Sequence, residues 1–328
     1  MNKNSKNRFM TAERNQSIDL IKIIAMYGVI ALHSTIGYIG GEFCPSFVAY
    51  SLGVCAIPLF FCVSGYLLLG REYAWSYPIK KIVGILRFVV IASIIFWLVS
   101  HHHTLQAYIH TVLGSFIQKG NLSQFWYFGS MIIIYLMLPL LNYIYKKRRL
   151  FILCLICLGL IECGVFTAIL RNGAQVESDI TQTFRLWNHI FYFMLGGCLH
   201  RYRFSVHWSA IPICATIVVI MQYFCNGLID TTYCEYYYSS VPVMLFVVSI
   251  FVVVLNLNIK GNRLIKELSI LFLPVYTFHI YIIGSCNRHV PNALDNNGIV
   301  IFLAACIAST LFSYLWMKIP GMKKVFKI

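Results

Sequence analysis

Charge is what this chain has least of. Of 328 residues only 11 are acidic, and 11% are charged with either sign, where a soluble domain carries about a quarter. That scarcity excludes an ordinary water-soluble globular protein. The chain also lacks any hydrophilic stretch long enough for a separate soluble domain, any internal repeat and any low-complexity tract. What it has is apolar: 59% hydrophobic and 16% aromatic residues, with a mean hydropathy of +0.74. The apolar residues come in runs of about 20 that recur along the whole chain, each long enough to cross a bilayer. This is the sequence of an all-α, polytopic integral membrane protein. Because the runs continue past the first one, a cleaved signal peptide is not expected.

Ten spanning helices are expected, at roughly 17–36, 47–69, 83–100, 125–145, 150–170, 185–200, 208–227, 239–257, 268–284 and 299–317. They form one membrane domain, 17–317, between short tails at 1–16 and 318–328. The sixth run is short for a span. Twenty of the 26 basic residues then fall in alternate connections on one side. Only Lys119, Arg171, Arg185 and Arg288 fall on the other, and Lys22 and Arg87 remain inside helices. Positive charge marks the cytoplasmic side, so both termini are expected there, and Glu42, Glu177, Asp179, Asp230, Glu235 and Asp295 lie outside.

The net charge of +15 is thus a topology signal. No soluble basic face with interleaved aromatics accompanies it, so nucleic acid is not an expected partner. The 12 cysteines do not read as a disulfide framework. Eight, including Cys154 and Cys157, lie inside apolar runs, where cysteine behaves as a small hydrophobe. Cys44, Cys225, Cys234 and Cys286 lie in or near outer connections, where a bridge among them can form. His101, His102 and His103 are adjacent and share no face, which makes a poor metal site; no metal is expected.

Ionisable groups inside a span are costly and mark functional sites. The first span carries three: Asp19, Lys22 and His33. Lys22 and His33 are eleven positions apart, nearly three turns, so they share a face about 16 Å apart. Asp19, three positions before Lys22, can pair with it. His33 is the group suited to take up a proton near neutral pH; the alternative is a structural histidine bonded to a neighbouring helix, with Lys22 snorkelling toward the interface. In the second span Pro58 frees a backbone carbonyl, and Ser64-Gly65 permits close approach of another helix or a substrate. Lys80, Lys81 and Arg87 lead into the third. Arg87, a turn inside the apolar run, needs a carboxylate, a backbone carbonyl or a bound phosphate. Glu162 lies in mid-span in the fifth helix, as a functional or a hydrogen-bonded structural acid. His279 in the ninth helix reaches a depth comparable to His33, so the two could line one cavity, and His189 and Trp187 sit near the outer end of the sixth.

Together these residues resemble the acyltransferase family 3 membrane proteins. The basic residue and histidine of that family's first helix match Lys22 and His33 at the same spacing, with lysine here in place of the usual arginine. Pro58-Leu59-Phe60-Phe61 running into Ser64-Gly65-Tyr66-Leu67-Leu68 is similar to its second-helix signature. Lys80, Lys81 and Arg87, the run Phe125-Trp126-Tyr127 before Tyr135 and Pro139, and Tyr276 with His279 also fit. The resemblance implies a bacterial cytoplasmic-membrane enzyme that moves an acyl group, most often acetyl, from cytoplasmic acyl-CoA to a hydroxyl of an envelope glycan or lipid-linked sugar. It implies His33 as base or transient acyl carrier, with Lys22 and Asp19 beside it in catalysis. It implies Lys80, Lys81, Arg87 and Ser64 as the coenzyme site, and Glu162, His279 and Trp126 along the substrate path. The competing expectation is a glycan exporter or small-solute transporter using the same charged path.

Overall fold

In the computed structural model, residues 14–36, 43–99, 104–173, 175–229, 233–289 and 298–326 are described. They are helical throughout, with no strand among them. The main helices are α1 (Gln16–Thr35), α2 (Pro45–Gly53), α3 (Ala56–Leu68), α4 (Ser76–Val99), α5 (Leu105–Ser115), α6 (Trp126–Lys146) and α7 (Arg148–Asn172). After them come the single turn α8 (Gln175–Ser178), α9 (Leu186–Arg201), α10 (Ala210–Ile229), α11 (Val241–Asn256), α12 (Arg263–Ile270), α13 (Phe272–His289), α14 (Gly298–Trp316) and the turn α15 (Met322–Val325). Much of the amino-terminal tail, His101–His103, Glu42, Asp230 and Asp295 lie outside the described residues.

Every one of the ten anticipated segments is helical in its described residues, and among the described residues seven stretches, with α2 and α3 taken together as one, are long and apolar enough to cross a membrane, or eight if the bent pair α12–α13 is one span. The anticipated sixth and eighth spans are α9 and α11, each of 16 residues. At 1.5 Å per residue each is about 24 Å long, short of the ~30 Å hydrocarbon thickness. Both pack many side chains inside the bundle. The third span begins at Ser76 rather than 83, so Lys80 and Lys81 ride on the first turns of α4.

The bundle is built around α1. Its first turn is held by Asn15, whose side chain accepts hydrogen bonds from the backbone N–H groups of Ser17 and Ile18, satisfying donors that a helix start leaves free. It packs against α2, α3, α11, α12, α13 and α14. Prolines bend the helices beside it. Pro58 cannot donate to the Val54 carbonyl, and α2 gives way to α3 across Val54 and Cys55. Pro274 likewise leaves the Ile270 carbonyl without its partner, where α12 and α13 meet at 61°.

The tightest contact is between α3 and α9. A Cβ on Gly65 would lie 1.7 Å from the Phe193 carbonyl oxygen, and one on Gly196 would lie 1.9 Å from that of Cys62. The close approach allowed by Ser64-Gly65 is therefore to another helix. By contrast α7 runs along the perimeter, with Leu153, Ile156 and Leu160 exposed and Glu162 turned inward.

Connections anticipated on the same side meet one another. At the Lys22 end, Gln16 bonds the backbone of Asn262, and the Ser17 hydroxyl accepts from the Ile259 N–H. At the His33 end, the Tyr50 hydroxyl accepts from the Cys234 N–H, and Thr183 donates to the Phe116 carbonyl. All 12 cysteines are free thiols.

Candidate active site

Lys22 and His33 of α1 open into two different cavities. Lys22 lines one of about 430 Å³, with Ser64, Arg71, Tyr77, Lys81, Tyr127 and Tyr135 among its walls. His33 lines the other, of about 220 Å³, with Gln118, Gln124, Trp126, Gln182, Glu235 and Tyr276. The eleven-residue spacing on one helix thus distributes a cation and an imidazole to separate chambers.

Around Lys22 the charge is positive. Lys81 and Arg71 share the cavity, and the nearby carboxylate is already engaged. Asp19, buried, forms its close ion pair with Arg14, which also donates to Ser269 of α12. Lys22 Nζ stands 3.9 Å from the other carboxylate oxygen, the outer limit of an ion pair. The expected Asp19–Lys22 pair is thus the looser of two, and Arg14 is its tight member. Lys80 and Arg87 lie on the exposed side of α4 and line neither cavity. Ser64 lines the Lys22 cavity and interacts with the Tyr127 hydroxyl.

His279 does not line the other cavity as anticipated but packs behind His33, the two rings 5.2 Å apart and tilted by 48°. His279 is fully buried, and its Nδ1–H donates to the Tyr276 carbonyl at 2.8 Å. That bond fixes the tautomer: Nε2 carries the lone pair, and it has no partner among the described residues. His33 has no hydrogen bond among them either, and its side chain is open to the cavity. A hydroxyl entering here meets one free imidazole backed by another. Trp126 lines the cavity and stacks on His189 at 5.5 Å. Glu162 lines neither cavity. It is buried between α7 and α9, accepting a 3.1 Å bond from Asn188 and a further one from Ser239.

Aromatic rings divide the two chambers. Tyr127 faces the Lys22 cavity, Tyr276 the His33 cavity, and their rings are 6.1 Å apart. Phe60 packs on Tyr127 at 6.0 Å and on Phe272 at 4.7 Å. Tyr276 is tethered by its hydroxyl to the Gln124 carbonyl, and Gln124 Nε2 donates back to the Thr277 carbonyl at 3.2 Å.

An ionic cluster that sequence reading did not single out closes the rim of the His33 cavity. Arg185, buried, forms 3.1 Å ion pairs with both Glu177 and Glu235, and its guanidinium lies 5.3 Å from the Tyr236 ring centre. Gln182 also bonds Glu235. Burial pushes both carboxyls above the usual carboxylate range, against the pull of Arg185. The sequence marks Arg71 only as one of the twenty basic residues in the connections expected on the cytoplasmic side. Its place in the Lys22 cavity comes from the α3–α4 connection, whose path no periodicity reveals.

A family model described as an acyltransferase domain matches residues 15–318, nearly the whole chain. An amino-acid racemase of Enterococcus faecalis is 24% identical over 337 residues, covering 96% of this chain and 47% of that protein. The chain thus spans about half the length of the curated relative it matches. No solved structure matches it.

Proposed function

We propose, from the premise that the chain belongs to this acyltransferase family, that it transfers an acyl group between its two cavities. The donor is an acyl-CoA, acetyl-CoA first, taken up on the Lys22 side; the acceptor is a hydroxyl of an envelope glycan or lipid-linked sugar in the His33 cavity. The orientation is that of ten crossings with both termini cytoplasmic, in the bacterial cytoplasmic membrane, so the donor enters from inside and the acceptor from outside. One observation carries the reading: a single helix, α1, delivers a cation to one chamber and a free imidazole to the other.

The donor suits the first chamber. Lys22 and Lys81 offer positive charge to its phosphates, and Ser64 with Tyr127 offers hydroxyls to the pantetheine amides. Lys80 and Arg87, exposed, would draw the anionic donor toward the mouth rather than hold it. The slim arm would cross the aromatic partition with its thioester toward His33. There the imidazole takes the proton from the acceptor hydroxyl as its oxygen attacks the thioester carbon. The C–S bond breaks, the acyl ester forms, and the leaving thiolate recovers the proton. His279 would steady the charged imidazole through its free Nε2 lone pair, and Trp126 would flank the sugar. Asp19 and Arg14 hold Lys22 in its place, and Glu162 supports the wall behind the acceptor through Asn188 and Ser239.

The 61° break between α12 and α13 favours a second reading, a carrier of small solutes through the same chambers, since broken helices build transporter sites. The name racemase belongs to a protein about twice this length. Purified protein given labelled acetyl-CoA and a glycan fraction tests both readings. Acyl transfer abolished by His33→Ala supports the enzyme; solute uptake into vesicles without transfer supports the carrier.

A further inference from the structure

The Lys22 cavity has a neighbour. A cavity of about 400 Å³ lies beside it, lined by Arg71, Tyr73, Trp75, Asn142, Tyr143 and Lys146 among others. Tyr73 and Tyr77 form the wall between the two. Their rings stack 4.6 Å apart at 15°, Tyr73 on one side and Tyr77 on the other. Arg71 lines both cavities. Its guanidinium has no hydrogen bond or ion pair among the described residues, although a carboxylate, Glu72, is its chain neighbour and pairs instead with Lys146 at 3.9 Å.

An arginine left free at such a junction should be mobile, yet its backbone is clamped. Both ends of one buried amide hold it: Asn142 Nδ2 donates to the Arg71 carbonyl at 2.9 Å, and Asn142 Oδ1 accepts from the Gly70 N–H at 2.9 Å. Gly70 has φ +81°, and a Cβ there would lie 2.7 Å from the Tyr145 ring. A side chain amide that spends both its groups on one turn fixes where that turn points, while the guanidinium stays unspent. Such a fork of donors is suited to phosphate oxygens. Beyond it, Trp75 and Tyr143 are 78% and 58% exposed and present flat faces on which a base can stack.

We propose that this second cavity is a nucleotide subsite: it takes the adenosine-phosphate end of the donor, with Arg71 on the phosphates at the junction and Asn142 as the positioning residue that aims it. The pantetheine arm lies in the Lys22 cavity, and the Tyr73–Tyr77 pair separates arm from base. The inference rests on the acyl-CoA reading above and adds to it where the nucleotide goes.

The test compares two donors on purified protein in lipid nanodiscs. One is acetyl-CoA; the other is an acetyl thioester of pantetheine, which has the arm and no nucleotide. Arg71→Ala is expected to lower the preference for acetyl-CoA over the truncated donor, as a ratio of kcat/KM, by at least about ten-fold. The change should lie in the KM for acetyl-CoA rather than in kcat. Asn142→Ala should reproduce part of that loss, and Arg71→Lys should restore part of it. Adenosine 3′,5′-bisphosphate alone should compete with acetyl-CoA for the wild type and compete less well for Arg71→Ala. Because Arg71 is exposed, its replacement leaves folding aside. An unchanged donor preference in Arg71→Ala, with wild-type transfer intact, overturns the subsite and leaves the acyl-CoA reading standing. A wild type that neither binds acetyl-CoA nor transfers acetyl overturns the reading itself, and the subsite with it.

Discussion

The two chambers along α1 differ in size, charge and finish. The Lys22 cavity is about 430 Å³ and gathers Lys22, Lys81 and Arg71. The His33 cavity is about half that, and its ionic groups are paired away: Glu235 is bound to Arg185 and Gln182. Basic side chains gathered at one end, and at the other an imidazole with no hydrogen bond among the described residues, fit the proposed division in which the first chamber holds an anion and the second moves a proton. One helix serves both because eleven residues return its face to the same direction three turns on.

His33→Ala breaks the comparison most severely. Acyl transfer should fall by about 10²–10⁴-fold, the usual worth of a positioned general base, while acetyl-CoA affinity, measured by calorimetry, stays within two- to three-fold. An equal loss of affinity would mean that the chambers are not chemically separate. Gly196→Ala acts on both chambers at once by forcing α9 off α3. It should destabilise the protein by about 1–3 kcal/mol or more, seen as a lower thermal midpoint in detergent; an unchanged midpoint would show the crossing to be looser than drawn.

Lys22→Ala sharpens the comparison from the donor side. Acetyl-CoA binding should weaken by about ten-fold, as for the loss of a charge-assisted bond, and the acceptor KM should not move. The smallest effect concerns pH. Glu177 and Glu235 have folded pKa values raised above the ordinary carboxylate range, so the folded state binds more protons than the unfolded one. Their contribution is therefore greatest in acid, declines as pH rises from about 4.3 through the raised values, and is flat beyond. Thermal midpoints across that window should show this decline, shallower in Glu177→Gln. A rise with pH would contradict the buried cluster.

Much of this was legible in the sequence, and the omissions have physical causes. Composition and run length gave an all-helical protein with apolar spans, because hydrophobicity is a local property. The count of ten goes beyond the seven or eight stretches that are long and apolar enough among the described residues, since α9 and α11 have only 16 residues each. Family membership was legible from Lys22, His33 and the Pro58–Leu68 run, and the match over residues 15–318 agrees. His33 and His279 do meet, in keeping with their comparable depth along two helices, but His279 packs behind His33 rather than lining its cavity. Which cation faces a cavity did not follow: around α4, Lys81 lines the Lys22 cavity while Lys80 and Arg87 are exposed away from it. Helical periodicity gives relative faces, not which face meets a neighbour. Arg14 and Arg71 escaped for a related reason. Both precede or link helices, where position depends on bonds to distant residues such as Ser269 and Asn142.

The contact of α3 with α9 has a bearing on motion. Two backbones touching at Gly65 and Gly196 leave no soft side chains between them to absorb sliding or tilting. Such a close crossing resists relative sliding of the two helices, and Ser64, next to Gly65, sits beside it. Any widening of the passage between the chambers falls to the opposite wall, where α13 already meets α12 at a break and carries Tyr276 and His279 together. A swing of α13 about Leu271 would part Tyr276 from Tyr127 and, in the same stroke, change how His279 backs His33. Opening the route and readying the imidazole would then be one movement rather than two.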